Sequence, residues 1–308
     1  MQLRKILIMG GLAALGALSS IASAQAPNGP FYGGEVKALY GAPWRGPLVE
    51  DGDLPRFLRY AKNPKGDEYV ELPDGYVEPP IPEAPESPEV QAGLAPQAAI
   101  PRVVDVEGMS SSEWTPPDTE MAGGPSVAVF AINDNIRITD RNGVTLSEFD
   151  INTYTNTNFG WDTALNIFDP RVIWNPWIGR FVVCWDRTND AGTENFLVVM
   201  ISATSNPHTG GWWTYVLDTE DNNTHWMDYP HIGCTRDAIS FTGRMFPWGA
   251  GSSYDKVGFI EQDDAAIGGN INWWYFTNPQ SAGGSDVNTV PATMKSAPLD
   301  GANSVQYV

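Results

Sequence analysis

The sequence predicts an all-β, β-propeller-like fold of about three blades plus the first strand of a fourth. Two observations lead there: short β-rich runs separated by turn clusters from about Pro101 onward, and a loose repeat with the spacing of a four-stranded blade. A β-sandwich, which needs no ring closure, is the structural alternative. The runs begin with SVAVFAI (126–132), NIRITD (135–140) and VTLSEFDI (144–151). RVIWN (171–175), RFVVCWD (180–186), ENFLVVMISAT (194–204) and WWTYVLD (212–218) follow, then AISFTG (238–243), KVGFIEQ (256–262) and INWWYF (271–276). Asn142-Gly143, between the second and third runs, is a strong hairpin signal. No segment sustains a 3.6-residue period, so no long helix is expected.

The repeat is carried by Pro125, Pro170 and Pro230, each read as opening a strand directly after a loop. Proline suits a first strand position because its missing N–H need not join the ladder. Aspartates lie upstream of all three: Asp118 at some distance, Asp169 and Asp228 close by. The proline spacings of 45 and 60 residues fit a blade of about 40–50 residues with one long insertion. The stretch from Asp300 to Val308 reads as the innermost strand of a further blade. Propellers close with about four to eight blades, so the expectation is a partial ring, completed by residues beyond Val308 or by another chain.

The segments before the β-domain have different textures. Residues 1–24 read as a secretory signal: Arg4 and Lys5 precede an apolar stretch from Ile6 to Leu18, and Ala22-Ser23-Ala24 supplies a cleavage site. That stretch falls short of the roughly 20 apolar residues of a membrane span. No later segment is long and apolar enough to span, so the expected mature protein is secreted, periplasmic or extracellular. Residues 25–100 hold 13 of the 25 prolines, and eight acidic residues with no basic one lie between Asp67 and Glu89. This reads as a Pro-rich acidic linker, extended over at least 63–100, with 31–62 as a short docking element of weak helical period. The β-domain is then 101–308.

Charge and cysteine content exclude some functions. Lys+Arg number 18 against 37 Asp+Glu, a net charge of −19, which argues against nucleic acid as a partner. Two cysteines are too few for a disulfide-stapled scaffold or a four-thiolate zinc site. Export allows a Cys184–Cys234 disulfide, and two separately buried thiols remain equally open.

Four pieces carry a family resemblance: WTPPDTEMAGGPSVAVFAINDNIRITDRNG, DPRVIWNPWIGRFVV, SATSNPHTGGWWTY and DYPHIGCTRDAISFTGRMF. Over roughly residues 113–246 they resemble secreted bacterial β-propeller proteins of the sialidase/Asp-box-like superfamily, mostly of unassigned activity. The resemblance implies a propeller and gives Asn206, Gly210, Gly211 and Trp212 the parts of an Asp-box turn. Pro207-His208-Thr209 is inserted in that turn, which occurs once, so what is implied is the fold rather than sialidase chemistry.

Loops entering the inner strands of a propeller surround one end of its channel. That expectation gathers Asp118, Asp169, Arg171, Asp228, Tyr229, His231 and Asp300 from distant parts of the chain. Carboxylates, an arginine and a histidine in one pocket suit acid/base work on a sugar or cation binding. The candidate catalytic set is Asp169, Arg171, Asp228, Tyr229 and His231; taken singly, each aspartate reads first as a turn cap that accepts backbone N–H bonds. Candidate ligand-binding residues are Asp118, Arg187 and the pairs Trp212-Trp213 and Trp273-Trp274, whose members point to opposite faces of a strand. Asp218, Glu220 and Asn222 occupy alternating positions of an acidic loop and, with Asp228, are the candidate Ca²⁺ ligands. Tyr229 at the twelfth place rules out an EF-hand, leaving an irregular Ca²⁺ loop or an acidic solvated turn.

No Gly-x-Ser-x-Gly, His-Glu-x-x-His, phosphate-cradling loop or Cys-x-x-Cys is present. Three functions follow from these residues. The first is an exported module binding a glycan or other cell-surface ligand at the channel face. The second is a carbohydrate-active hydrolase or lyase, and the third a structural or adhesive surface protein.

Overall fold

A computed structural model describes residues 28–47, 109, 118–162, 166–189 and 194–277. The predicted signal segment, most of the predicted linker and Asp300 lie outside these residues. Among the described residues the chain is predominantly β, with fourteen strands and three short helices. It begins with β1 (Asn28–Val36) and β2 (Leu39–Gly41). A first meander follows: β3 (Glu120–Gly123), β4 (Val127–Ile132), β5 (Asn135–Asp140) and β6 (Thr145–Asp150), then helix α1 (Ile151–Phe159). The second meander is β7 (Asn166–Asn175), β8 (Arg180–Thr188) and β9 (Asn195–Ser202), the short helix α2 (Pro207–Gly210) and β10 (Trp212–Asp218). The third is β11 (His225–Cys234), β12 (Ala238–Pro247) and β13 (Tyr254–Glu261), the short helix α3 (Gln262–Ala265) and β14 (Ile271–Thr277).

Each meander is one antiparallel sheet with its strands in sequence order, and none of the three sheets closes on itself. The first strands of the meanders are neighbours: β3 packs against β7, and β7 against β11. Two hydrophobic layers fill the spaces between sheets. Phe181, Val183, Trp185, Val198 and Met200 of the middle sheet face the first sheet. Val182, Cys184, Leu197, Val199 and Ile201 face the third. Burial on both faces explains why RFVVCW and NFLVVMIS are continuous apolar runs rather than alternating ones. Each large side chain removed from water in these layers contributes about 1.5–3 kcal/mol. Cys184 and Cys234 are separate, buried free thiols.

Two details of the sequence reading change. Helix α1 has no extended periodicity, but its ends are specified. The Asp150 carboxylate accepts from Thr153 N at 2.6 Å, and left-handed Gly160 donates its N–H to the Asn156 carbonyl. Ile151, Tyr154 and Thr155 form its buried face. The turn at Asn142-Gly143 is longer than a two-residue hairpin, because the Asp140 carboxylate takes the N–H groups of both Asn142 and Val144. These bonds hold the Asp140 carboxyl below its ordinary pKa.

At the β9–β10 turn, the Asn206 side chain accepts from His208 N at 3.0 Å. Gly211 takes a positive φ of 73°, and Trp212 is buried directly after it. The turn is thus organised by Asn206, with the inserted Pro207-His208-Thr209 forming α2.

Part of the predicted linker is strand. β1 joins the outer edge of the third sheet by pairing with β14, and β2 joins the outer edge of the second by pairing with β10. Residues 31–41 therefore dock through backbone ladders and not through a helical face. Edge positions accommodate the glycines and Pro30 of this segment. Two glycines are required by close approach: a Cβ at Gly33 would enter the Trp273 ring, and one at Gly41 would meet the Tyr154 hydroxyl. The Tyr154 hydroxyl in turn donates to the Ala42 carbonyl at 3.0 Å. We expect Gly33→Val and Gly41→Val each to cost about 1–3 kcal/mol by overpacking. Hydrogen exchange should show deprotection concentrated in residues 28–47, with the β8 and β9 amides retaining their protection.

Candidate functional site

The site lies where β3, β7 and β11 run side by side. Three non-glycine residues there have left-handed backbone: Asp118 (φ 45°), Asp169 (φ 53°) and Tyr229 (φ 56°). A bulky residue in that region is a strained outlier. The ladder registers of β7 and β11 break at these points, between Phe168 and Arg171 and between Asp228 and His231. The structural repeat is therefore Asp118-Thr119-Glu120, Asp169-Pro170-Arg171 and Tyr229-Pro230-His231. Pro170 and Pro230 are equivalent, as the sequence suggests, but they sit inside β7 and β11 rather than opening them. Pro125 is not their counterpart. It lies in the β3–β4 turn closed by Gly124 N to the Val127 carbonyl at 2.8 Å, and Thr119 takes the equivalent place.

Side chains link these three positions from sheet to sheet. Asn133, in the β4–β5 turn, donates to the Asp118 carboxylate at 3.3 Å and accepts from Asp169 N at 2.9 Å. The Asp169 carboxylate then accepts from Tyr229 N at 3.1 Å. The residues two places on form a second chain. Glu120 Oε1 lies 3.4 Å from Arg171 Nη1, and Arg171 Nε donates to His231 Nδ1 at 3.4 Å. Arg171 Nη1 also donates to the Pro170 carbonyl at 2.8 Å. The Arg171 guanidinium sits 4.9 Å from the centre of the Tyr229 ring. That ring meets His231 edge-on at 4.8 Å and is itself 45% exposed.

Asp186 is the residue that sequence reasoning missed. It stands on β8 opposite Phe168, and it brings an oxygen within 4.8 Å of oxygens of Asp169 and Asp228. It is 0% exposed, and neither of its oxygens has a hydrogen-bond partner. The visible signal was an aspartate ending an otherwise apolar strand run, VVCWD. Burial, and then the neighbouring Asp228 and Asp169 charges, push its pKa well above the usual carboxylate range. Burial first, then Asp228 and Asp118, raises Asp169 to about 8, with Arg171 opposing. Asp169 and Asp228 both accept from the single Tyr229 N–H. Burial, with help from Arg171, lowers His231 to about 4, so its ring is neutral near pH 7.

The other candidates lie elsewhere. Arg187 is half-buried over the Trp161 ring at 4.5 Å and joins none of these links. Trp212 and Trp273 are core residues. Their outward neighbours are packed by aromatics of the N-terminal strands, Trp213 by Tyr40 at 4.7 Å and Trp274 by Tyr32 at 5.9 Å.

The expected Ca²⁺ set is divided. Asp218, Glu220 and Asn222 line a cavity of about 260 Å³ with Lys256 and Trp273. Asp228 converges instead with Asp169 and Asp186, the one such group of His, Cys, Asp or Glu among the described residues. The acidic loop already has a cation. Lys256 is buried there, donates to the Thr219 carbonyl at 2.8 Å, and is lowered to about 8 by burial, with Asp221 and Asp218 opposing.

Compared with family models, curated proteins and solved structures, the chain matches none. The geometry above therefore stands alone as the basis for function. Among the described residues no helix is long and apolar enough to cross a membrane.

Proposed function

We propose that this chain is an exported β-propeller-type module that binds a glycan or another cell-surface ligand at its channel face. The stacking of three meanders with their first strands adjacent supports the propeller reading over a two-sheet sandwich, as does the equivalence of Asp118, Asp169 and Tyr229. On this reading the resemblance to sialidase/Asp-box-like propellers extends to architecture. The leader-like segment at 1–24 and the net charge of −19 support export and argue against nucleic acid.

One observation carries the ligand reading. Tyr229, exposed in a strained backbone conformation, lies against Arg171 and His231. An exposed aromatic face beside a guanidinium and a neutral imidazole offers stacking for a sugar ring and donors for its hydroxyl or carboxylate oxygens. Strain held at such a point is a common mark of a ligand site.

A catalytic reading has one observation in its favour, the raised pKa of Asp169, which suits a proton donor near neutrality. Asp169 and Asp228 share the Tyr229 N–H and bring one oxygen each within 4.8 Å of the other.

A glycan array with wild type and Tyr229→Ala tests the proposal. We expect saturable binding to a subset of glycans, weakened at least ~10-fold by the substitution, with no polysaccharide depolymerised. Binding indifferent to Tyr229 would remove the ligand reading. Turnover abolished by Asp228→Asn and His231→Gln would replace it with the enzymatic one.

A further inference from the structure

We propose that Asp169, Asp186 and Asp228 form a site for one divalent cation of the hard, oxygen-preferring class, seated between the second and third sheets. The inference goes beyond the glycan reading and does not depend on it. Asp169 on β7 and Asp186 on β8 belong to the middle sheet, and Asp228 on β11 to the third. A bound ion would add a further link between two sheets already joined by packing and by the Asp169–Tyr229 and Arg171–His231 hydrogen bonds.

Three aspartates close together are common without an ion; Asp186 sets this group apart. An ionised carboxylate only accepts hydrogen bonds, and Asp186 is fully buried with no donor at either oxygen. The neighbouring cations do not fill that need. Arg171 directs Nη1 to Glu120 and the Pro170 carbonyl and Nε to His231. Arg244, opposite Asp228 in the ladder, places Nη1 on Asp255 at 2.9 Å. Asp186 receives a hydrogen bond from neither.

Carboxylate-only donors select Ca²⁺, Mg²⁺ or Mn²⁺ over softer metals. A trio spanning 4.8 Å or less admits Ca²⁺, whose oxygen ligands lie at about 2.3–2.6 Å and so stand at most ~5 Å apart. Asp169 and Asp228 are only partly buried, which leaves the ion a way in from solvent and room for water to complete its shell.

No bond to carbon forms or breaks, and no electron is transferred.

The test is a titration of EDTA-treated, desalted full-length chain with CaCl₂ at pH 7.5, by calorimetry and by thermal unfolding, with MgCl₂ and MnCl₂ in parallel. Expected are one Ca²⁺ per chain and a Tm rise of roughly 5–10 °C at about a hundredfold excess over Kd. Asp186→Asn should weaken binding at least ~100-fold and abolish the Tm rise. Glu220→Gln, in the other acidic loop, should leave both unchanged. If Asp186→Asn fails to fold, Asp228→Asn takes its place. The proposal is overturned if wild type shows no saturable binding to any of the three ions. It is equally overturned if the Asp186 or Asp228 variant binds like wild type, or if Glu220→Gln abolishes binding.

Discussion

Replacing Trp185 with alanine should lower stability by about 3–5 kcal/mol, the range for deleting a large aromatic from a packed core. Trp185 is 0% exposed and lies in the layer between the first and second sheets with Phe181, Val183, Val198 and Met200. Its indole N–H has no partner, so the loss is one of packing rather than of a hydrogen bond. Chemical denaturation should show the full loss, and the midpoint of thermal unfolding should fall by roughly 10 °C or more. Trp274→Ala is the control. That ring is half-buried on an outer face against Tyr32, and its loss should cost about 1 kcal/mol. Equal losses at both positions would contradict a core centred on the middle sheet.

The second large effect is a loss of stability of the cation-free chain as pH rises from 6.5 to 8. Asp169 titrates near 8 when folded and near 4 when unfolded. Below about pH 4 both states hold the proton and the group contributes nothing to the difference. Between the two values the unfolded state ionises while the folded state keeps its proton, so stability falls as pH rises. Asp186, raised in the same direction, adds to the fall.

The other shifted groups act outside this window. His231, lowered to about 4, loses stability only as pH drops below about 6.5. Lys256, lowered to about 8, acts in the opposite sense and mainly above that pH. Across pH 6.5–8 the net change from Asp169 is about 1–2 kcal/mol, or a Tm lower by ~5 °C. Saturating Ca²⁺ should flatten this dependence. A flat profile in the cation-free chain would contradict the burial of the trio.

Much of the β-domain was legible because its strands are short, apolar and bounded by turn residues. WWTYVLD (212–218) reads from sequence with the limits of β10, and NIRITD (135–140) with those of β5. β3 was not legible: EMAG has no β-branched or aromatic residue and takes its conformation from pairing with β4. α1 was missed because nine residues are too few to establish a period, although Asp150 and Gly160 mark both ends. The N-terminal strands were hidden by proline content, since an edge strand draws its ladder bonds from a partner more than a hundred residues away.

The site shows the same division. Asp-Pro-Arg and Tyr-Pro-His stood out as local motifs, and the structure brings Asp169, Arg171, Asp228, Tyr229 and His231 together at the register breaks inside β7 and β11. Glu120 and Asp186 did not stand out. Their importance comes from neighbours 51 and 42 residues away, Arg171 and Asp228. The first proline of the repeat misled because Pro125 sits in a turn, while the equivalent strand position holds Thr119. Conversely, nothing local to Asp218, Glu220 and Asn222 signals that Lys256, more than thirty residues on, folds into their loop.

The central claim is that Asp169, Asp186 and Asp228, from separate sheets, form one carboxylate cluster around the buried Asp186. Carboxyl ¹³C titration of the cation-free chain tests it most directly. At least one aspartate should titrate near pH 8, and that transition should move to lower pH in Asp228→Asn as the repulsion on Asp169 is relieved. If every aspartate carboxyl instead titrated below about pH 5, the cluster would not exist as described.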